Sequence, residues 1–220
     1  MVRSRAFLAM LLVGACGEVK LANDAAPGAS ADASEGADAI ALDGSAADAA
    51  GADATPSDRR VFVTSGTFPG DLGGLAGADA QCQGAAASAG LRGTYRAWLS
   101  DSTGSPSTRM TQDAGPYRLV DGTEIAADWA DLTDGSIAAP IDLNELGEPS
   151  KGTFVCQGGE VWTSTTASGT PRGDIACADW ISTEETSSAG NVGFTDVNWT
   201  ESACSVITCE SRLPLYCVEQ

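Results

Sequence analysis

Six of the chain's seven cysteines fall between positions 82 and 217, and no other feature constrains its fold as tightly. They are Cys82, Cys156, Cys177, Cys204, Cys209 and Cys217. The seventh, Cys16, stands apart near the amino terminus. Six cysteines in an exported chain read as three disulfides, and spacing alone leaves their connectivity open. The aromatic residues obey the same boundary. All five tryptophans, all three tyrosines and four of the five phenylalanines lie beyond residue 60. One domain of about 160 residues, 60–220, is the natural size for that content.

Whether the cysteines oxidise depends on export, and the first residues address this. Arg3 and Arg5 precede an apolar run from Ala6 to Val13, followed by the small residues Gly14 and Ala15. This is the pattern of a secretory signal peptide, 1–15. A helix that spans a bilayer needs about 20 apolar residues, so the run is too short to be one. Val13-Gly14-Ala15-Cys16 resembles the bacterial lipobox, in which cleavage precedes a cysteine that is then lipidated. The resemblance makes Cys16 the lipidation site and places the protein on a membrane through that lipid. Gly17 follows the cysteine, where an aspartate would signal inner-membrane retention in enterobacteria-like sorting; the expected location is the outer membrane or cell surface.

Residues 16–59 hold Ala, Asp, Gly and Ser with little else and no aromatic residue. Such a composition cannot bury enough apolar surface to offset chain entropy. It reads as an acidic, disordered tether that would span roughly 35–40 Å as a flexible chain.

The charge is −18, and the chain has no histidine. Residues 60–220 carry eight basic and 21 acidic side chains. Nucleic acid and heparin-type polyanions are therefore not expected partners. Without histidine, Ser-His-Asp triads, Cys-His dyads and His-ligated zinc are excluded. No cofactor and no metal is expected.

Within the domain, Val61–Thr64 reads as a strand. Leu75, Ala78, Cys82, Ala85, Ala86 and Ala89 recur at helical spacing, so 75–89 reads as a helix with Cys82 on its buried face and Gly90 as its stop. "TYRAWLSD" alternates as a strand, with Tyr95, Ala97 and Leu99 on one side and Arg96 and Trp98 on the other. "YRLVDGTEI" suggests a second strand and an Asp-Gly turn, and "AADWADL" a short helix with Trp129 inward. From Asp134 to Gly190 only "TFVC" and "EVWTST" stand out as strands. "LPLYCVE" is a last strand carrying Cys217. Few helices, short strands, long loops and disulfides give a small α+β fold.

Four phrases then add a resemblance: "FVTSGTFPGDLGGLAGADAQC", "TYRAWLSDST", "ADWADLTDG" and "VWT", in order across 60–220. With the Cys209–Cys217 ending, they resemble endostatin, the C-terminal domain of certain collagens. They are more similar still to bacterial endostatin-like lipoproteins. The resemblance implies a C-type-lectin-like fold with a mixed, mostly antiparallel sheet and three disulfides. It also implies nested pairs, Cys82 with Cys217 and Cys177 with Cys209, which leaves Cys156 with Cys204. Endostatin's zinc and heparin activities are not implied, because their histidines and clustered arginines are missing here.

Candidate sites are sparse. Asp128, Asp131 and Asp134 recur every third residue, a spacing that fits a helix edge better than a calcium loop. Glu148-Pro149-Ser150 is similar to the sugar-binding triplet of C-type lectins but lacks its asparagine. The five tryptophans are expected in the core, with stacking on a sugar or protein as the alternative. Asn198-Trp199-Thr200 matches a glycosylation sequon, of little weight in a bacterial chain. No carboxylate pair is singled out for hydrolysis. The expected function is non-enzymatic recognition of a protein or glycan at the cell envelope; the ligand-binding residues stay unknown. The alternatives are a structural envelope lipoprotein and, third, a carboxylate-based hydrolase.

Overall fold

The computed structural model describes residues 58–112, 114–152, 155–156, 158–173, 176–203 and 206–220. The expected signal peptide, Cys16, and the tether up to residue 57 lie outside the described residues. The first strand begins slightly earlier than the expected domain boundary, because it already includes Arg59.

Among the described residues, nine strands form three sheets: β1 Arg59–Val63, β2 Tyr95–Ala97, β3 Tyr117–Leu119, β4 Glu124–Ala126, β5 Glu160–Trp162, β6 Thr186–Ser187, β7 Ala189–Asn191, β8 Ile207–Thr208 and β9 Tyr216–Glu219. The largest sheet has the order β2-β9-β1-β3-β4. Only the β1–β3 pair is parallel in it; the other neighbours are antiparallel. β5 pairs with β7 and β6 with β8, both antiparallel. The helices are α1 Gly74–Ser88, α2 Pro106–Arg109, α3 Trp129–Leu132 and a turn, α4, at Ala176–Trp180. The architecture is α+β with few helices and a mixed, mostly antiparallel sheet.

Alternation along the central strands explains the core. On β1, Phe62 joins a cluster with Tyr95, Ala97 and Cys217, whereas Val61 and Val63 join another with Trp98, Tyr117 and Tyr216. Side chains alternate across a strand, so these clusters lie on opposite faces of the sheet. Both faces are buried, which is why "RVFV" and "LYCV" read as continuous apolar runs.

α1 covers one face with Leu75, Ala78, Cys82 and Ala86. Small residues let it sit close to β2, and its polar side chains complete the sheet edge. Gln83 Oε1 accepts from Tyr95 N at 2.9 Å, and Asp79 Oδ1 from Ala97 N at 3.0 Å. A carboxamide oxygen and a carboxylate oxygen four residues apart on the helix thus satisfy two edge donors two residues apart on the strand. Arg109 Nη2 binds the other Asp79 oxygen at 2.6 Å. The helix ends as expected: Gly90 has φ 72°, Leu91 N donates to Ala86 O and Gly90 N to Ala87 O. This pair of bonds is a Schellman stop.

The other face is aromatic. Trp129, Trp98, Trp199 and Tyr216 stack successively at 5.9, 5.0 and 5.8 Å between ring centroids. Trp98, Trp162, Trp180 and Trp199 are fully buried, and Trp129 is half-buried against Trp98.

Two disulfides lie wholly among the described residues, Cys82–Cys217 and Cys177–Cys209, spanning 135 and 32 positions. Cys156 is also disulfide-bonded; its expected partner, Cys204, lies outside the described residues. One expectation fails. Val155 and Cys156 of "TFVC" are exposed and form no strand. Thr153 and Phe154 of that stretch lie outside the described residues.

Candidate functional site

The strands set an axis. β1 and β2 both run antiparallel to β9, with Val61 opposite Val218 and Tyr95 opposite Glu219. The chain therefore enters the domain at the end where β9 finishes. The loop after β2, from Ser100 to Gly104, lies at the opposite end.

A cleft of about 290 Å³ opens there, lined by Ser100, Asp101, Ser102, Ser164, Pro171, Gly173, Ala176 and Asp179. The polar sequence "SDSTG" builds one wall. Asp101 Oδ1 accepts from Thr103 N at 2.6 Å, Thr103 Oγ1 at 2.8 Å and Gly104 N at 2.9 Å. Asp101 N donates back to Gly104 O. An aspartate that bonds the backbone two residues on is the usual organiser of such a turn. Ser100 Oγ lies 2.8 Å from Thr165 Oγ1, and its carbonyl accepts from Trp180 Nε1 at 2.9 Å.

The facing wall is α4, whose five residues all have positive φ, from 41° at Ala176 to 64° at Trp180. None is glycine. A left-handed turn of L-residues costs about 1–2 kcal/mol per residue. Only one other non-glycine residue among those described has positive φ: Ser164, at 46°, which also lines the cleft. Among the described residues, disfavoured backbone is thus confined to Ser164 and α4, of which Ser164, Ala176 and Asp179 line the cleft. Strain of this kind persists where the surroundings over-determine it, and it concentrates at functional sites.

The restraints on the turn are specific. Trp180 is buried, and its carbonyl accepts from Leu72 N at 2.9 Å and Gly73 N at 3.1 Å. Cys177 O accepts from Ile181 N and Ser182 N, both at 3.1 Å. Asp179 accepts from Ser102 N at 2.9 Å and Ser102 Oγ at 2.7 Å. These bonds from Ser102 lower its pKa below the usual carboxylate value. The Cys177–Cys209 bond ties the turn to the residue that follows β8. Gly70 packs against that bond so closely that a Cβ there would sit 2.3 Å from Cys177 Sγ.

A larger cleft of about 460 Å³, lined by Asp58, Arg60, Arg118, Asp121 and Glu219 among others, lies at the chain-entry end. Part of its charge is paired internally: Arg118 binds Glu124 at 2.6 Å and Asp58 at 3.2 Å. The smaller cleft is the better candidate, because the positive-φ residues Ser164, Ala176 and Asp179 line it.

The sequence-level candidates take structural roles. Asp128 caps α3 by accepting from Asp131 N, and Asp131 accepts from Ala127 N. Asp134 accepts from Ser136 N. Among the described residues, no three His, Cys, Asp or Glu side chains group as metal ligands. Glu148 accepts weakly from Asn144 Nδ2 in its own loop at 3.4 Å, and Ser150 N donates to Asp142 O. In the sequon, Thr200 is buried and bonded to Trp98 Nε1. The cleft residues Asp101 and Asp179 were not singled out from sequence. "SDSTG" signalled a turn, but nothing in "ACADW" signals a left-handed one.

Compared with known proteins, no family model matches this chain and no curated protein matches it at a significant level.

Proposed function

We propose that this chain is an exported bacterial lipoprotein, anchored through Cys16, whose domain is an endostatin-like, C-type-lectin-like module for non-enzymatic recognition at the cell envelope. The observation that carries the reading is the cleft at the end of the sheet farthest from where the chain enters. Three of the six positive-φ non-glycine residues among those described, Ser164, Ala176 and Asp179, line it, and the other three belong to the same α4 turn. A tethered domain presents that end outward. The two nested disulfides and the mixed sheet support the endostatin-like reading, since they have the arrangement the resemblance implies. The ligand is a protein or glycan, and the cleft's hydroxyl and carboxylate groups are suited to polar, directional contacts.

The test is a binding screen of the oxidised full-length protein on glycan and matrix-protein arrays, with calcium and with chelator. Reproducible binding that Ser102→Trp, a bulky change in the cleft, abolishes is the expected result. A blank in both buffers, or binding indifferent to that change, would overturn the reading.

A further inference from the structure

We infer that the cleft at the chain-entry end binds a carboxylate group, held by the Arg60 guanidinium and the Tyr95 hydroxyl. The strand register builds this site, which is separate from the cleft of the recognition reading. Tyr95 on β2 pairs with Glu219 on β9, and Arg60 on β1 pairs with Arg118 on β3. Val61 stands opposite Val218, so Arg60 stands beside Glu219, whose Oε2 accepts from Arg60 N at 3.0 Å. Residues opposite one another share a face of the sheet, so these four side chains form one row across four strands. Arg60, Arg118 and Glu219 line the cleft of about 460 Å³.

Tyr95 supplies the observation that points to a ligand. It is 1% exposed, and its hydroxyl has no hydrogen-bond partner among the described residues. The ring lies 5.4 Å from that of Phe62 on β1, although β2 and β1 are separated by β9, two strand spacings or about 10 Å. The side chain therefore leans across β9 and carries its hydroxyl toward Arg60. Burial raises the phenol pKa; the Glu219 charge adds to this and the Arg60 charge opposes it, so both groups flank the hydroxyl. A raised pKa keeps it a proton donor at neutral pH. Leaving a buried donor unpaired is costly, and an acceptor oxygen of a ligand removes that cost.

Arg60 is exposed, and its guanidinium has no ion pair among the described residues, whereas Arg118 is held by Glu124 and Asp58. Arg60 is thus the neighbour able to turn, admit a ligand oxygen to the enclosed hydroxyl and bind its partner oxygen. A carboxylate matches the planar guanidinium fork. A phosphate dianion suits the cleft less well, because Asp121 and Glu219 in the lining repel the second negative charge.

The experiment uses the oxidised full-length protein, titrated by calorimetry and by amide NMR shifts. The probes are acetyl-Ala-Ala with a free carboxyl terminus, its carboxyl-terminal amide, propionate, propionamide and inorganic phosphate. The peptide acid and propionate should each bind at least tenfold more tightly than their amides, shifting the Arg60 and Glu219 amides. Arg60→Gln and Tyr95→Phe should each weaken that binding at least fivefold, and Ser102→Trp, in the other cleft, should leave it unchanged. Tyr95→Phe should also leave the unfolding midpoint unchanged or higher, because the hydroxyl it removes has no partner in the fold. A peptide acid much tighter than propionate identifies a peptide terminus as the source; equal affinities identify a free small acid. Equal binding of acid and amide on the unaltered protein overturns the inference, and so does phosphate binding more tightly than either acid. A midpoint lowered by Tyr95→Phe overturns it too, because the hydroxyl is then already bonded within the fold. Carboxylate binding lost in Ser102→Trp places the acid in the other cleft and sinks this inference while the recognition reading stands.

Discussion

Ala178 lies in the middle of α4, half-buried, with φ 52° and ψ 55°. Replacing it with glycine gives a test in which the sign decides. An L-residue in the left-handed region costs about 1–2 kcal/mol, and glycine removes that cost. Glycine also loosens the unfolded chain, which costs about 0.4–1 kcal/mol. The difference leaves Ala178→Gly about 0.5–1 kcal/mol more stable than the parent. For a domain of this size that is a rise in Tm of about 1–4 °C. In a right-handed helix the same change is destabilising by roughly 0.5–1 kcal/mol. Ala87→Gly, on the exposed side of α1, supplies that control and should lower Tm. The assay is thermal unfolding of the oxidised protein followed by circular dichroism and by calorimetry. If both substitutions lower Tm equally, α4 is not left-handed and the argument that strain marks the cleft collapses.

Three further outcomes follow from the packing. Burial raises the pKa of all three tyrosines, with Tyr117 pushed to about 12 and Tyr216 well above the usual phenol value. A raised phenol pKa favours the fold fully below the unfolded value near 10, and that contribution is lost as pH climbs through the folded value. Absorbance at alkaline pH should therefore show no tyrosinate near pH 10, and ionisation should coincide with unfolding; a normal titration there would contradict the burial. Replacing Cys82 and Cys217 together by serine removes a bridge across 135 positions, worth roughly 5 kcal/mol in the chain-entropy treatment. Chemical denaturation should show a large fall in the midpoint, and an unchanged midpoint would refute the bridge's role. Gly70→Ala forces a methyl onto the Cys177–Cys209 bond and should cost about 1–3 kcal/mol by overpacking, read from the same denaturation curves.

Much of the scaffold was legible because its signals are local and periodic. Helix α1 announced itself through Leu75, Ala78, Cys82 and Ala86, and Gly90 marked its end. Strand β2 was legible from its alternation: Tyr95, Ala97 and Leu99 join one core cluster and Trp98 the other, because both faces of the sheet are covered. Strands β6, β7 and β8 were missed, since each is only two or three residues long, too short to carry an apolar period, and is fixed by partners far along the chain. The cleft was less legible still. The hand of α4 is imposed by Trp180 burial, backbone bonds to Leu72 and Gly73, and a disulfide to Cys209. Tertiary restraint overrides local preference there, and no local residue pattern records it.

The polarity of the sheet has a mechanical meaning. A pull between the chain-entry end and the cleft acts along β1, whose hydrogen bonds to β3 and β9 lie across that direction. Those bonds are loaded together in shear, so none can be peeled away singly. The load also crosses two covalent staples, because Cys177–Cys209 secures the cleft wall and Cys82–Cys217 secures β9 to α1. Under the proposed tethered reading, tension between anchor and ligand would run along this shear direction.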